Sequence, residues 1–150
     1  MGFDQTFLEI LARLALACAF GALVGIEREA QKKTAGLRTN MMVSLGAATF
    51  TLIAATLIGG GGTADPTRIV TGVATGIGFL GAGSIIQSGR NVEGVTTAAG
   101  IWLVGGIGAA CGVGAVALAA VATALGVVIL RLGGWVEGKG RKKASTQETP

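Results

Sequence analysis

Gly76, Gly78 and Gly81 stand in G-x-G-x-x-G spacing within the stretch TGIGFLGAG, residues 75–83. In a strand-to-helix turn, glycines so spaced free backbone N–H groups to meet a pyrophosphate. Glu93 follows 17 residues after Gly76, loosely where the ribose-binding acid of such a loop belongs. A second pair with chemical potential is Glu9 and Arg13, one helical turn apart in an otherwise apolar run. It is either a structural ion pair, with Glu9 or another helix as the partner of Arg13, or a charged step in an ion or proton path. Histidine is absent, and Cys18 and Cys111 are the only cysteines. The usual proton shuttle, a metal quartet and a disulfide framework are therefore all missing, and no catalytic, cofactor-binding or metal site is expected.

The elements that must carry these residues decide among the readings. Of 150 residues, 51% are hydrophobic, 13% are charged and 27 are glycine. Charges are confined to short islands, and the apolar runs between them lie near 5–26, 38–58, 67–88, 95–111 and 115–132. A run of about 20 residues rises ~30 Å as a helix, the thickness of a bilayer's hydrocarbon core. The fold class expected is all-α, a polytopic membrane bundle of about five helices in residues 1–132, followed by a basic, disordered tail in 133–150.

Orientation follows from the positive charges. With the N-terminus outside and the C-terminus cytoplasmic, Arg28, Lys32, Lys33, Arg38, Arg90, Arg131, Lys139, Arg141, Lys142 and Lys143 fall inside, Arg68 falls outside and Arg13 lies within the first span. This satisfies the positive-inside rule. The basic balance then reports orientation and attraction to anionic lipids, so membrane lipids and not nucleic acid are the expected partners. The start MGFDQT fits a myristoylation pattern, but this topology keeps it from the cytoplasmic machinery, and without a basic n-region the first run reads as a retained span.

In lipid the N–H groups of a spanning helix are bonded within it, leaving none for phosphate unless the helix is broken in a protein-lined cavity. The glycine motif therefore reads as packing surface. Gly72, Gly76 and Gly83 fall within roughly 40° of one another on a helix, and Gly78 and Gly81 lie on the opposite side. Two small faces imply neighbours on both, which places the third span at the centre of the bundle. In the first span Ala17, Gly21 and Gly25 continue the Glu9–Arg13 stripe and turn it inward. Asp65 and Pro66 suit the start of the third helix, Gly89 its end, and GVG at 112–114 a tight turn between the last two spans.

The motifs GIERE (25–29), AGLRTN (35–40), DPTRIV (65–70), GIGFLGAGSII (76–86), VEGVTTAAGIW (92–102) and GIGAACGVG (106–114) occur in that order. Together they resemble the MgtC/SapB family of bacterial inner-membrane proteins over most of residues 20–130. The resemblance implies a small multi-helix domain tied to survival at low magnesium and, in some members, to virulence and to restraint of the F-type ATP synthase. Longer members carry a soluble cytoplasmic domain after the last span, and this chain is expected to be a short form without it.

The residues carrying the resemblance are Glu27, Arg28, Arg38, Thr39, Asn40, Asp65, Arg68, Gly81, Gly83, Thr96, Thr97 and Trp102. Glu27 and Arg38 share the cytoplasmic side and are expected to close the first hairpin as an ion pair. Arg28 pairs similarly or receives an anionic lipid or partner. Thr96 and Thr97 open the fourth span and suit backbone or interhelical hydrogen bonds, with substrate binding as the alternative. Trp102 lies ~10 Å into its span, deeper than an interface anchor, so packing is its expected role. Magnesium requires oxygen ligands. Asp4, Glu9 and Asp65 lie outward and Glu27, Glu29 and Glu93 inward, so no acidic track crosses and a dedicated Mg²⁺ pore is disfavoured, leaving a superficial or sensing site. The function expected is that of a non-enzymatic regulator of a membrane partner such as the F-type ATP synthase, with glycine faces that permit a homo-oligomer without demanding one; the alternative is a small ion transporter or channel for Mg²⁺, another cation or protons.

Overall fold

A computed structural model describes the backbone of residues 3–59, 65–88 and 91–145, and side-chain burial at 6–57, 65, 67–87 and 91–134. Five helices follow in order: α1 (Phe3–Ala30), α2 (Leu37–Gly59), α3 (Pro66–Ala82), α4 (Val95–Gly112) and α5 (Val116–Ser145). A two-stranded antiparallel hairpin, β1 (Ile86–Ser88) with β2 (Asn91–Glu93), joins α3 to α4. Helices α1, α2, α4 and α5 are long and apolar enough to cross a membrane. The protein is thus an all-α bundle of the expected class.

The middle of the bundle belongs to α4, not to α3. Helix α4 packs against all four others, whereas the substantial contacts of α3 are with α4 and α2. The reason is the distribution of small residues. On α4 a side-chain carbon added at Gly108 would strike the Ser44 backbone, one at Gly112 would strike Thr51 and the Ala48 carbonyl, and one at Gly105 would strike Ile77. On α1 the same addition at Gly21 would lie 2.7 Å from the Asn40 carbonyl oxygen, and at Gly25 2.7 Å from Leu37 Cα. In lipid, where apolar surface gains nothing by leaving water, such backbone proximity and its dispersion contacts hold helices together. Ala17, Val24, Ala48, Val104, Ile107, Cys111 and Ala119 fill the seam among α1, α2, α4 and α5.

Around Gly72, Gly76 and Gly78, by contrast, a side-chain carbon would meet nothing within 4 Å. The two-sided packing expected of α3 is therefore absent at these three positions. Gly81 does approach α4, 3.3 Å from the Ala98 carbonyl oxygen, and the contacts at Gly83 are with its own helix.

Helix α3 is also shorter than the 67–88 span expected. Asp65 accepts a hydrogen bond from the Thr67 N–H at 2.9 Å and Pro66 takes the first helical position, so the start is as the residues dictate. At the other end both the N–H and the hydroxyl of Ser84 return to the Gly81 carbonyl, at 3.0 and 2.7 Å. This local bonding competes with helical propagation. The chain instead enters the hairpin, where Ile86 pairs with Glu93 and Gln87 with Val92. Gly94 then turns back at φ +90°, and an added side chain there would run into the Ser84 carbonyl. Glycine alone meets both demands. The helix end expected at Gly89, together with Arg90, lies outside the described residues.

Helix α5 continues to Ser145, so residues 133–145 are helical where an irregular tail was expected; 146–150 and the side chains of Lys139, Arg141, Lys142 and Lys143 lie outside the described residues. The α4–α5 turn is tight, with the Ala115 N–H donating to the Ala110 carbonyl at 2.8 Å and Gly114 at φ +84°.

This packing predicts opposite outcomes for two glycines. Gly108→Val forces α2 and α4 apart and should cost about 1–3 kcal/mol, as overpacking does, whereas Gly78→Ala should leave stability unchanged or slightly raised. Thermal unfolding of the two variants in mild detergent, followed by circular dichroism, checks the contrast.

Candidate functional site

The last turn of α1 and the residues just after it, reading Glu27-Arg28-Glu29-Ala30-Gln31, reach three other helices at the end read as cytoplasmic. Glu27 Oε2 accepts from Arg131 Nε of α5 at 2.8 Å, and its Oε1 accepts from Gln31 Nε2 at 3.0 Å. Gln31 Nε2 also donates to the Leu130 carbonyl at 3.1 Å. Arg28, 2% exposed, donates from Nη2 to Thr97 Oγ1 of α4 at 2.9 Å. Glu29 Oε2 accepts from the Leu37 N–H at 2.8 Å, satisfying a free donor at the start of α2. Successive helical residues point in different directions, which is how one turn serves three neighbours.

Two expectations are corrected here. Glu27 pairs with Arg131 rather than with Arg38, which is exposed. The first hairpin is closed instead by Glu29, and by Asn40, whose Nδ2 donates to the Ala35 and Gly36 carbonyls at 2.9 and 2.8 Å. Short loops favour such local bonds over an ion pair between two long, solvated side chains. The interhelical use of Thr97 is observed; Thr96 beside it is exposed.

At the opposite end Arg13 Nη1 donates to the Gly112 carbonyl at 3.0 Å. Its partner is therefore another helix, and Glu9 is exposed. A cation at the last carbonyls of α4 also complements that helix's dipole. Asp65 and Arg68 are exposed beside the N-terminus of α3. Trp102 is 60% exposed. It faces outward because glycines, not aromatics, line the inward sides of α4, and its expected packing role does not hold. Thr39 is exposed, lining a pocket of about 300 Å³ with Thr34 and Ser84.

Between these ends α2 turns Asn40, Ser44 and Thr51 into the bundle, all at most 2% exposed. Thr51 Oγ1 bonds to the Ala47 and Ala48 carbonyls at 3.0 Å each. Ser44 Oγ is the buried side-chain oxygen without a hydrogen-bond partner among the described residues. Ser44, Thr51, Gln31 and Arg131 lie outside the quoted motifs. The spacings 40, 44, 51 on α2 and 105, 108, 112 on α4 are helical stripes that reveal the inward faces; nothing in the sequence couples Glu27 to Arg131, 104 positions away. Among the described residues no cluster of three or more His, Cys, Asp or Glu occurs.

Five helices, four of them long and apolar enough to span, glycine contacts at their crossings, and an arginine at either end of the seam define a polytopic helical membrane protein. The MgtC family profile matches residues 14–139. The chain belongs to the MgtC family. It is 46% identical to Protein MgtC of Brucella abortus (strain 2308) over 112 residues, covering 75% of this chain and 46% of that one. It is 45% identical to Protein MgtC of Salmonella typhimurium (strain LT2) over 104 residues, covering 69% of this chain and 43% of that one. The chain thus spans less than half the length of these curated relatives. No solved structure matches.

Two outcomes follow from the site's geometry. Arg28→Ala removes a charged donor from a buried hydroxyl and should cost about 1.5–3 kcal/mol, whereas Arg131→Gln, at an exposed pair, should cost no more than about 1 kcal/mol; unfolding midpoints in detergent compare them. The backbone hydrogen bond from Thr67 holds the Asp65 carboxyl below its ordinary pKa of 3.8. A lowered pKa stabilises the capped helix start fully above 3.8, and that contribution is lost as pH falls through the lowered value. The Thr67 amide resonance should therefore titrate below pH 3.8 in the native protein and lose this step in Asp65→Asn.

Proposed function

We propose that this chain is a non-enzymatic regulator in the bacterial inner membrane, linked to adaptation at low magnesium and to virulence, acting by contact with a membrane partner such as the F-type ATP synthase. The observation that carries this reading is the outer face of α3. Thr71, Thr75, Gly78 and Ala82 form an exposed ridge of small residues along it. The hydroxyls of Thr71 and Thr75 are turned back onto the Thr67 and Thr71 carbonyls, both at 2.8 Å. Such a ridge presents a smooth surface onto which another transmembrane helix fits closely. The relatives are called Protein MgtC, a name that specifies no reaction.

The transporter alternative has one observation on its side, the unpartnered Ser44 hydroxyl between Asn40 and Thr51. Against it, Gly108 and Gly112 bring α4 so close to Ser44 and Thr51 that even one added carbon does not fit. A hydrated ion needs far more room than that.

Association decides between the two. The native chain should co-purify with the ATP synthase in mild detergent and alter its proton-driven activity, and Thr75→Leu/Gly78→Leu should abolish both while leaving the unfolding temperature unchanged. Selective ion flux through liposomes containing the purified chain, lost in Ser44→Ala, would overturn the regulator reading.

A further inference from the structure

Helices α2 and α3 diverge to leave an open groove of about 630 Å³, within the range of pockets that hold small molecules. Its floor is Gly46, Gly72 and Gly76, where an added side chain would meet nothing within 4 Å, and Met42, Phe50 and Leu80 stand along its walls. From Ile69 to Leu80 the groove follows α3 for about 16 Å by helical rise, close to the depth of one leaflet in a core of ~30 Å. Inside a bilayer this volume is filled, and by an occupant as apolar as its walls.

The cytoplasmic end of the groove changes character. Val43 and Leu80 line both the groove and the pocket of Thr34, Thr39 and Ser84, so the two are continuous. Lys33 and Arg38, each adjacent in sequence to one of these threonines, are exposed. The acids at this mouth are Glu93, exposed and opposite Ile86 in the hairpin, and Glu29, exposed, whose carboxylate accepts from the Leu37 N–H. With the exposed Lys32, three cations and the Thr34 and Thr39 hydroxyls against two acids favour phosphate oxygens.

We propose that the α2–α3 groove binds one anionic glycerophospholipid of the cytoplasmic leaflet, with an acyl chain on the Gly46–Gly72–Gly76 floor and the phosphate at Thr34 and Thr39. An apolar tail one leaflet long and an anionic head match the two halves of the cavity in length and in charge. The site is independent of the regulator reading, because the Thr71–Gly78 ridge lies on the other side of α3 from the groove.

Native mass spectrometry of the purified full chain, titrated with phosphatidylglycerol and separately with phosphatidylcholine, tests the assignment. The native chain should retain one phosphatidylglycerol and hold it more tightly than phosphatidylcholine. Gly72→Leu/Gly76→Leu fills the groove and should abolish retention, whereas Gly106→Leu, at an equally open position on α4, should not. Lys33→Gln/Arg38→Gln, confined to exposed side chains and so safe for folding, should weaken phosphatidylglycerol about tenfold or more and leave phosphatidylcholine unchanged. Equal binding of the two lipids, undiminished binding in the filled-groove variant, or conversion of a native dimer to a monomer by that variant with lipid retention intact would each overturn the proposal, the last by making a second copy of the chain the occupant.

Discussion

Everything else in this bundle depends on how closely α4 lies against α2. Gly108 and Gly112 meet the Ser44 and Ala48 backbone and the Thr51 side chain with no space for a β-carbon between them. In water, burial of large apolar side chains would hold such helices; in lipid that gain vanishes, and short-range dispersion between closely apposed backbones takes its place. This explains why the buried core is dominated by Ala and Gly and why Phe7, Phe50, Phe79 and Trp102 are exposed. The large side chains are on the outside because the outside is itself apolar.

Once α4 and α2 are so placed, polar groups near the ends can set direction and rotation. Arg13 engages the last carbonyls of α4, and the Glu27–Gln31 turn engages α5, α4 and α2 in succession. These bonds differ in weight. The Arg28–Thr97 bond is buried and its loss strands a polar group, whereas Arg131 is 69% exposed and its bond with Glu27 contributes little. The energetic centre of this end of the bundle is therefore Arg28. Helix α3, whose substantial contacts are with α4 and α2, is left with open glycines on one flank and a small-residue ridge on another. The proposed lipid groove and the proposed partner ridge both lie on this helix.

The individual spans were legible because bilayer thickness imposes their length and intramembrane hydrogen bonding imposes their conformation. The start of α3 was equally legible from Asp65 and Pro66, since capping is local. Its end was not: Ser84 supplies both a hydroxyl and an N–H to one carbonyl, a local event hidden inside an apolar run that reads as continuous helix. Gly72, Gly76 and Gly78 illustrate a different limit. A glycine permits close approach without compelling it, so the same letters that mark contact at Gly21, Gly25 and Gly108 mark open space at these three.

By itself the sequence determined that this is a helical membrane protein of the MgtC family, with five helices in a defined order, because length, hydropathy and ordered motifs are properties of the chain taken segment by segment. Only the tertiary structure decided that α4 is central, that Glu27 reaches Arg131 instead of Arg38, and that α3 borders an open groove. Each of these depends on which faces meet across long separations in the chain. In lipid, where no hydrophobic gradient ranks one apolar face above another, that choice is made by steric fit among small residues.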